Sequence, residues 1–262
     1  MRIKSNIMQL NHEQLADLLQ YRSLDSLQHF ARIDSTNQWL LTEGRCGQLC
    51  VADQQTAGRG RQGKTWHSAS TDNLYFSLKH CFTESVAHLS LLSLTVGIAL
   101  AEALATLGLQ GHQLKWPNDV YIQQKKLAGI LLESNAKHVM VIGIGLNRVS
   151  DFTQQQTGWT SLQTVMSKPP SATILLATII NHLDRLLAAF PDYSTKKLQT
   201  QWANWDMLAG RPIHLQQAGR HYDGIAQGIS AQGELAVLVE QQIRYFSSAM
   251  IDWQQKSEVS SV

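Results

Sequence analysis

The stretch Gly58-Arg59-Gly60-Arg61-Gln62-Gly63-Lys64-Thr65-Trp66 crowds Arg59, Arg61 and Lys64 together, and no acid occurs between Asp53 and Asp72. Glycines let a backbone approach a ligand, and guanidinium groups grip phosphate or carboxylate through paired hydrogen bonds. A loop that closes over an anion is one reading; an exposed basic turn is the other. The first six letters also satisfy G-x-G-x-x-G, which in a dinucleotide site must open directly into a helix whose N-terminus meets the pyrophosphate. Here Lys-Thr-Trp-His-Ser-Ala-Ser-Thr-Asp-Asn follows, a turn-rich segment heading into a strand, with no acid placed to hold a ribose. The dinucleotide reading is set aside.

A second constellation is Lys115-Trp116-Pro117-Asn118-Asp119, followed by Lys126-Leu127-Ala128-Gly129-Ile130-Leu131. Pro117 lacks a ladder donor and Asn118-Asp119 suits a turn. Lys126 opens an apolar strand, so its ammonium either snorkels to solvent or meets a negative charge in a cleft. In Gly143-Ile144-Gly145-Leu146-Asn147 the glycines permit a ligand's close approach or, more plainly, a bulge or tight strand exit. Ser35-Thr36 suits a helix cap.

These residues need elements to hold them. Residues 10–20 have the apolar spacing of a short helix, His29 to Asp34 alternates as a strand, and a helix capped by Ser35/Thr36 runs to Gly44. Gln48 to Gln55 and Asn73 to His80 read as strands on either side of the glycine–arginine loop. A buried helix over residues 88–107 stops at Gly108. Gln113 to Trp116, Val120 to Gln123, Lys126 to Glu133 and His138 to Gly145 follow as short strands, with Lys125 at a hairpin tip. Residues 148–170 read as a long polar loop, a helix begins at Pro170-Ser171 and stops at Pro191, and a further helix carries Leu198, Trp202 and Trp205. After Gly210, strand-like alternation broken at Ala218-Gly219, Ser230 to Gly233 and Glu240 to Gln242 predicts short antiparallel strands, enough for a small barrel. Strands in hairpins, not in regular alternation with helices, predict an α+β fold around a mixed sheet.

A chain of 262 residues suits one large domain or one large and one small. Hydrophobic residues are 44% and charged residues 16%, and glutamine makes up much of the polar remainder. A net charge of +2 and a pI near 8.4 are too mild to make nucleic acid a bulk partner. The start lacks the apolar core of a signal peptide. The apolar run from Leu89 to Ala101 is shorter than the ~20 residues that span a bilayer. Cys46, Cys50 and Cys81 form no C-x-x-C pair and read as buried free thiols, with no metal site expected. A cytoplasmic protein without membrane attachment is expected.

Ser35-Thr36-Asn37, Gln55 with Ala57-Gly58-Arg59-Gly60-Arg61, Lys115-Trp116-Pro117-Asn118-Asp119, Lys126-Leu127-Ala128-Gly129-Ile130-Leu131 and Gly143-x-Gly-x-Asn147 occur in an order and spacing that closely resemble biotin–protein ligase. The similarity runs from about His29 to Asn147, weakens up to Gly158-Trp159 and resumes in the C-terminal strands. It implies a catalytic domain over residues 1–208, related to class II aminoacyl-tRNA synthetases, and an SH3-like β-barrel over 209–262. The implied reaction joins biotin and ATP into biotinyl-5′-adenylate, with magnesium neutralising the departing pyrophosphate, and passes biotin to one lysine of a biotin carboxyl carrier protein.

By resemblance, Lys126 sits beside the biotin carboxylate and the α-phosphate, and Arg59 and Arg61 belong to a loop folding over the adenylate. Ser35, Thr36 and Gln55, with backbone near Arg59 and Gly60, match positions that bind the ureido ring. Trp66 matches a pocket wall and Trp159 an adenine-stacking residue. Asp119 and Asn147 shape the adenylate site, and Asn37, Lys115, Asn118 and Gly129 fall within the same motifs. The Ser-Thr-Asn motif falls too early for a preceding winged helix-turn-helix, so no DNA binding is expected. Ser247 to Asp252 lacks the glycine pair and late arginine that the resemblance would place there. Lipoate–protein ligase, which shares the fold and adenylation logic, and a vitamin- or DNA-binding regulator without turnover are the alternatives. Pairing of two copies through sheet edges is left open.

Overall fold

The computed structural model describes residues 10–68, 71–82, 91–150 and 158–253. Seven strands form one sheet: β1 (Leu27–Ile33), β2 (Leu49–Gln55), β3 (Leu74–Cys81), β4 (His112–Lys115), β5 (Asp119–Ile122), β6 (Lys125–Glu133) and β7 (Val139–Leu146), in the order β1-β2-β3-β7-β6-β5-β4. Only β1 and β2 pair in parallel; the other neighbours are antiparallel. The predicted α+β fold with a mixed sheet is what the chain adopts.

Helices cover both faces. The short α1 (His12–Leu18) packs on α5 (Ala172–Ala189), and α5 packs on α3 (Leu92–Thr106), which lies against β4, β5 and β6. On the opposite face α2 (Thr36–Thr42) packs on β2, β3 and β7. Sequence sets these starts: Ser35 caps α2 by accepting from the Gln38 N–H, and Ser171 caps α5 by accepting from Ile174 N–H. α3 is buried along most of its length because it lies between the sheet and α5. α5 is long and apolar enough, by composition, to cross a bilayer, yet its apolar stripe is spent on the core, where Leu175, Leu176, Ile179, Ile180 and Leu183 are buried.

Several expectations need correction. The start of the predicted 88–107 helix lies outside the described residues, and so does part of the 148–170 loop; the described part of that loop contains a short helix, α4 (Leu162–Val165) capped by Ser161. Gln123 and Gln124, at φ 50° and 61°, form the hairpin tip, and Lys125 already belongs to β6. Helix α6 (Thr195–Ala203) ends before Trp205, whose carbonyl accepts from Leu114 N–H at 2.7 Å and so continues the edge of β4. Two of the cysteines are not free thiols: Cys46 and Cys81 form a disulfide, with Cα atoms 5.5 Å apart. Cys46 lies in the turn leading to β2 and Cys81 at the end of β3, and Gly47 N–H donates to Lys79 O nearby. Cys50 stays free, and burial pushes its thiol up to about 12.

The C-terminal segment forms a separate antiparallel sheet of β8 (Pro212–Gln217), β9 (Arg220–Ile229), β10 (Leu235–Val239), β11 (Gln242–Phe246) and β12 (Met250–Asp252), ordered β11-β10-β9-β8-β12. The predicted breaks coincide with its turns. Its apolar residues Ile213, Leu215, Ala226, Leu235 and Val237 join the same continuous core as the large sheet. Trp116 ties the two sheets through its indole N–H, which donates to Gly233 O at 2.9 Å.

Candidate active site

A cleft of about 350 Å³ opens over β6 and β7, between α2, the glycine–arginine loop and strand β12. Every predicted site residue lines it except Asn147.

The loop over the cleft is a small hairpin. Trp66 N–H donates to Gly58 O at 2.9 Å and Gly60 N–H to Lys64 O at 2.7 Å, around a 3-10 turn at Arg61–Gly63. Gln62 and Gly63 hold φ of 54° and 72° there, the left-handed backbone that such a tight reversal requires. No helix follows Gly63, so the backbone does not form a dinucleotide cradle.

The two arginines differ. Arg61 turns inward, its Nη1 3.5 Å from Asn118 Oδ1, and burial lowers its pKa against the opposing pull of Asp119. A guanidinium retains its charge under such a shift. Arg59 turns aside: Nη1 donates to Gln38 Oε1, and Nη2 pairs with Glu133 Oε1 at 2.6 Å.

Two lysines line the same cleft as Arg61. Lys126 Nζ pairs with Asp119 Oδ1 at 2.7 Å and lies 5.4 Å over the Trp66 ring. Lys115 donates from Nζ to Ile251 O at 3.4 Å. Burial lowers the Lys115 pKa most; Asp119 and Asp252 oppose this, and Lys126 and Lys64 add to the lowering. Arg61, Lys115 and Lys126 therefore gather around Asp119, with Lys64 and Asp252 also near Lys115, which leaves an excess of positive charge.

At the other end the cleft is polar but not charged. Thr36 N–H donates to Gln55 Oε1 at 2.9 Å, and Thr36 Oγ1 lies 2.7 Å from Ser77 Oγ. Ser77 Oγ donates to Asn37 Oδ1 at 2.5 Å, and Gln55 Nε2 donates to Ser68 Oγ at 3.3 Å. Ser35, Thr36 and Asn37 are all buried, so α2 supplies both its cap and this polar wall.

Trp66 forms the floor, and glycines make room for it. A Cβ on Gly145 would stand 2.4 Å from Trp66 Cε2, and one on Gly129 2.8 Å from its Cζ3. Gly143 plays the same part for Asn37, whose Oδ1 would lie 2.2 Å from an added Cβ. Gly143 and Gly145, for which a ligand's close approach is one reading of the sequence, thus make room for side chains of the protein itself. The Trp66 indole N–H is buried against the sheet with no hydrogen-bond partner among the described residues. Trp159 packs against Trp66 with ring centroids 4.9 Å apart, and its backbone is held by Lys126 N–H to Gly158 O at 2.8 Å and Thr160 N–H to Lys126 O at 2.9 Å.

Asn147 lies behind the wall, 1% exposed. Its N–H donates to Leu127 O and its carbonyl accepts from Leu162 N–H at 2.9 Å, which joins the end of β7 to α4. Sequence reasoning missed Ser77, Glu133 and the lining from Ala249, Met250 and Ile251. Alternation would have pointed Ser77 to the same face as Tyr75 and Lys79; the resemblance marked Ser247 to Asp252 only by the glycines and arginine it lacks, and there Ala249, Met250 and Ile251 line the cleft.

The chain matches the Biotin/lipoate A/B protein ligase family over residues 29–147. It is 39% identical over 220 residues to the Bifunctional ligase/repressor BirA of Escherichia coli, covering 80% of this chain and 67% of that protein. It is 30% identical over 219 residues to the Biotin--[acetyl-CoA-carboxylase] ligase of Paracoccus denitrificans, covering 78% of this chain and 91% of that one. Its fold is similar to the biotin protein ligase from Aquifex aeolicus in complex with biotin and ATP, with a TM-score of 0.80 at 28% identity, over 87% of this chain and 99% of that one. On the cleft's residues, the fold and these relatives, the chain belongs to the biotin protein ligase family.

Proposed function

We propose that the protein is an ATP-dependent biotin–carrier ligase acting on acetyl-CoA carboxylase or a similar biotin-dependent enzyme. The observation that carries this reading is the convergence of Arg61, Lys115 and Lys126 at one end of a cleft whose other end is uncharged and hydrogen-bonding. A biotin carboxylate and an ATP α-phosphate repel each other, and a cluster of cations removes that barrier. A carboxylate oxygen attacks the α-phosphorus, the bond to pyrophosphate breaks, and biotinyl-5′-adenylate forms. A carrier lysine amine then attacks the acyl carbon, and AMP leaves with the mixed-anhydride oxygen.

Lys126 serves both anions, and Asp119 aims its ammonium. Arg61 lies over the developing charge. Ser35, Thr36 and Gln55 supply directed hydrogen bonds to the ureido ring, the Trp66 face packs on the bicycle, and Trp159 stacks on adenine. Closure of the loop keeps water from the anhydride. Magnesium, held by the ATP phosphates, would offset charge on the leaving pyrophosphate; among the described residues no group of three His, Cys, Asp or Glu gathers to hold a metal of the protein's own. We further read residues 1–208 as the catalytic domain and the five-stranded sheet after it as an SH3-like barrel, which the antiparallel meander β8 to β11 supports.

The test is incubation with biotin, ATP and a carrier domain, read by intact mass. One added biotinyl group on the carrier, with pyrophosphate released only when biotin is present, is expected. Transfer of lipoate but not biotin, or biotin binding without pyrophosphate release, would overturn the reading.

A further inference from the structure

Glu133, at the end of β6, does not line the reaction cleft, yet it joins two parts that do. Its Oε2 accepts from Asn37 Nδ2 at 2.9 Å, and its Oε1 pairs with Arg59 Nη2 at 2.6 Å. Asn37 in turn accepts from Ser77 Oγ, and Ser77 contacts Thr36, which contacts Gln55. A continuous polar chain thus runs from the uncharged end of the cleft to the loop that covers it. Among the described residues, the Arg59 guanidinium finds its acceptors outside its own hairpin, in Glu133 on β6 and Gln38 on α2.

We propose that Glu133 is a positioning residue for the ligase reaction: through Arg59 it latches the glycine–arginine hairpin over the cleft, and through Asn37 it registers whether the uncharged end is filled. The geometry divides the labour between the two arginines. Arg61 faces Asn118 and the cationic cluster, whereas Arg59 is spent on holding the hairpin to the body. A ligand that hydrogen-bonds Thr36 or Gln55 shifts the chain that ends on the Glu133 carboxylate. The exposed half of the pair keeps the latch weak: the Arg59 side chain is 43% exposed, a setting in which an ion pair is opened by thermal motion and screened by salt. A weak latch suits a loop that must open for substrates and product. The alternative is that the Arg59–Glu133 contact is an incidental surface pair.

This proposal rests on the ligase reading, so its main test uses no biotin chemistry. Limited trypsin digestion of the ligand-free protein reports opening of the hairpin through cleavage after Arg61. Glu133→Gln, which keeps the shape and loses the charge, is expected to speed that cleavage about threefold, the scale of one partly exposed ion pair. Arg59→Gln should give the same acceleration, and the double variant no more than either alone, with the urea midpoint unchanged throughout. Unchanged cleavage, additive effects, or acceleration matched by a fall in the urea midpoint would overturn the latch. Should Glu133→Gln fail to fold, Gln38→Ala, which removes the second acceptor of Arg59, must speed cleavage or the proposal fails. The second arm follows retention of biotinyl-adenylate after gel filtration, expected to shorten by a similar factor in Glu133→Gln; equal retention would contradict the functional half. A parent protein that makes no adenylate sinks the ligase reading and leaves the tryptic result standing.

Discussion

Lys126 Nζ and Asp119 Oδ1 lie 2.7 Å apart across the adjacent strands β6 and β5, each side chain about four-fifths buried. The pair fixes where the ammonium sits in the cleft; on the proposed reaction its charge would need no reorganisation when the anions meet. Asp119 also attracts Arg61 and Lys115, so three of the cleft's cations share it, while Asp252 adds a second negative charge beside Lys115.

Lys126→Ala should keep the fold and lose adenylation. Far-ultraviolet circular dichroism should match the parent, because the lysine's stem contributes little to the core. Pyrophosphate release should fall by ~10²–10³, the scale of removing one preorganised electrostatic group. An unchanged release rate would remove this lysine from the chemistry.

Gly145→Ala should damage biotin binding more than turnover. Its Cβ would enter the space of the Trp66 indole, 2.4 Å from Cε2, and the ring must move into the cleft. We expect the KM for biotin to rise roughly tenfold, about 1.4 kcal/mol, with a smaller change in kcat. A KM equal to the parent's would show that the indole is not part of the binding wall.

Arg61→Gly removes the inward guanidinium from a hairpin already rich in glycine. Adenylate should escape and acylate exposed lysines at random. With serum albumin present as bystander, the biotin it acquires should increase by about tenfold, as expected for loss of a charge-assisted contact. Labelling confined to the carrier would count against a retaining role.

Acid should weaken the fold through His112. Burial holds its imidazole below the ordinary value of 6.5, while its Nε2 hydrogen-bonds Ala101 O at 2.8 Å. The unfolded chain then binds more protons below 6.5, so this contribution is full above that pH and is lost as pH falls towards the lowered folded value. The unfolding free energy measured in urea should fall as pH drops below about 6.5, with a slope of up to about 1.4 kcal/mol per pH unit for one such group. His112→Gln keeps a donor for Ala101 and should flatten the decline; an identical decline would assign it elsewhere, and His80 and His182, also lowered by burial, are the next candidates.

Much of this was legible in the sequence because it is local. Ser35 and Ser171 announce helices through caps, and the Glu240–Gln241 turn announces β10 and β11 through its break in alternation. The motif residues could be named, but not what each does. Arg59 and Arg61 look equivalent in the chain, and only the approach of Glu133 and Gln38, distant in sequence, turns one aside. Gly143 and Gly145 read as openings for a ligand or as a tight strand exit; the side chains that fill them, Asn37 and Trp66, come from α2 and from the connection between β2 and β3. The Cys46–Cys81 bridge likewise depends on the β2–β3 pairing, which no spacing reveals. Met250 and Ile251 reach the cleft only because the second sheet packs there.

The most direct test is a crystal structure with a non-hydrolysable biotinyl-adenylate analogue. Lys126 Nζ and the Arg61 guanidinium should both lie within about 3 Å of the oxygens linking acyl group and phosphate, with the bicycle on the Trp66 face. An analogue bound with the hairpin folded out into solvent and Lys126 still paired to Asp119 alone would contradict the account.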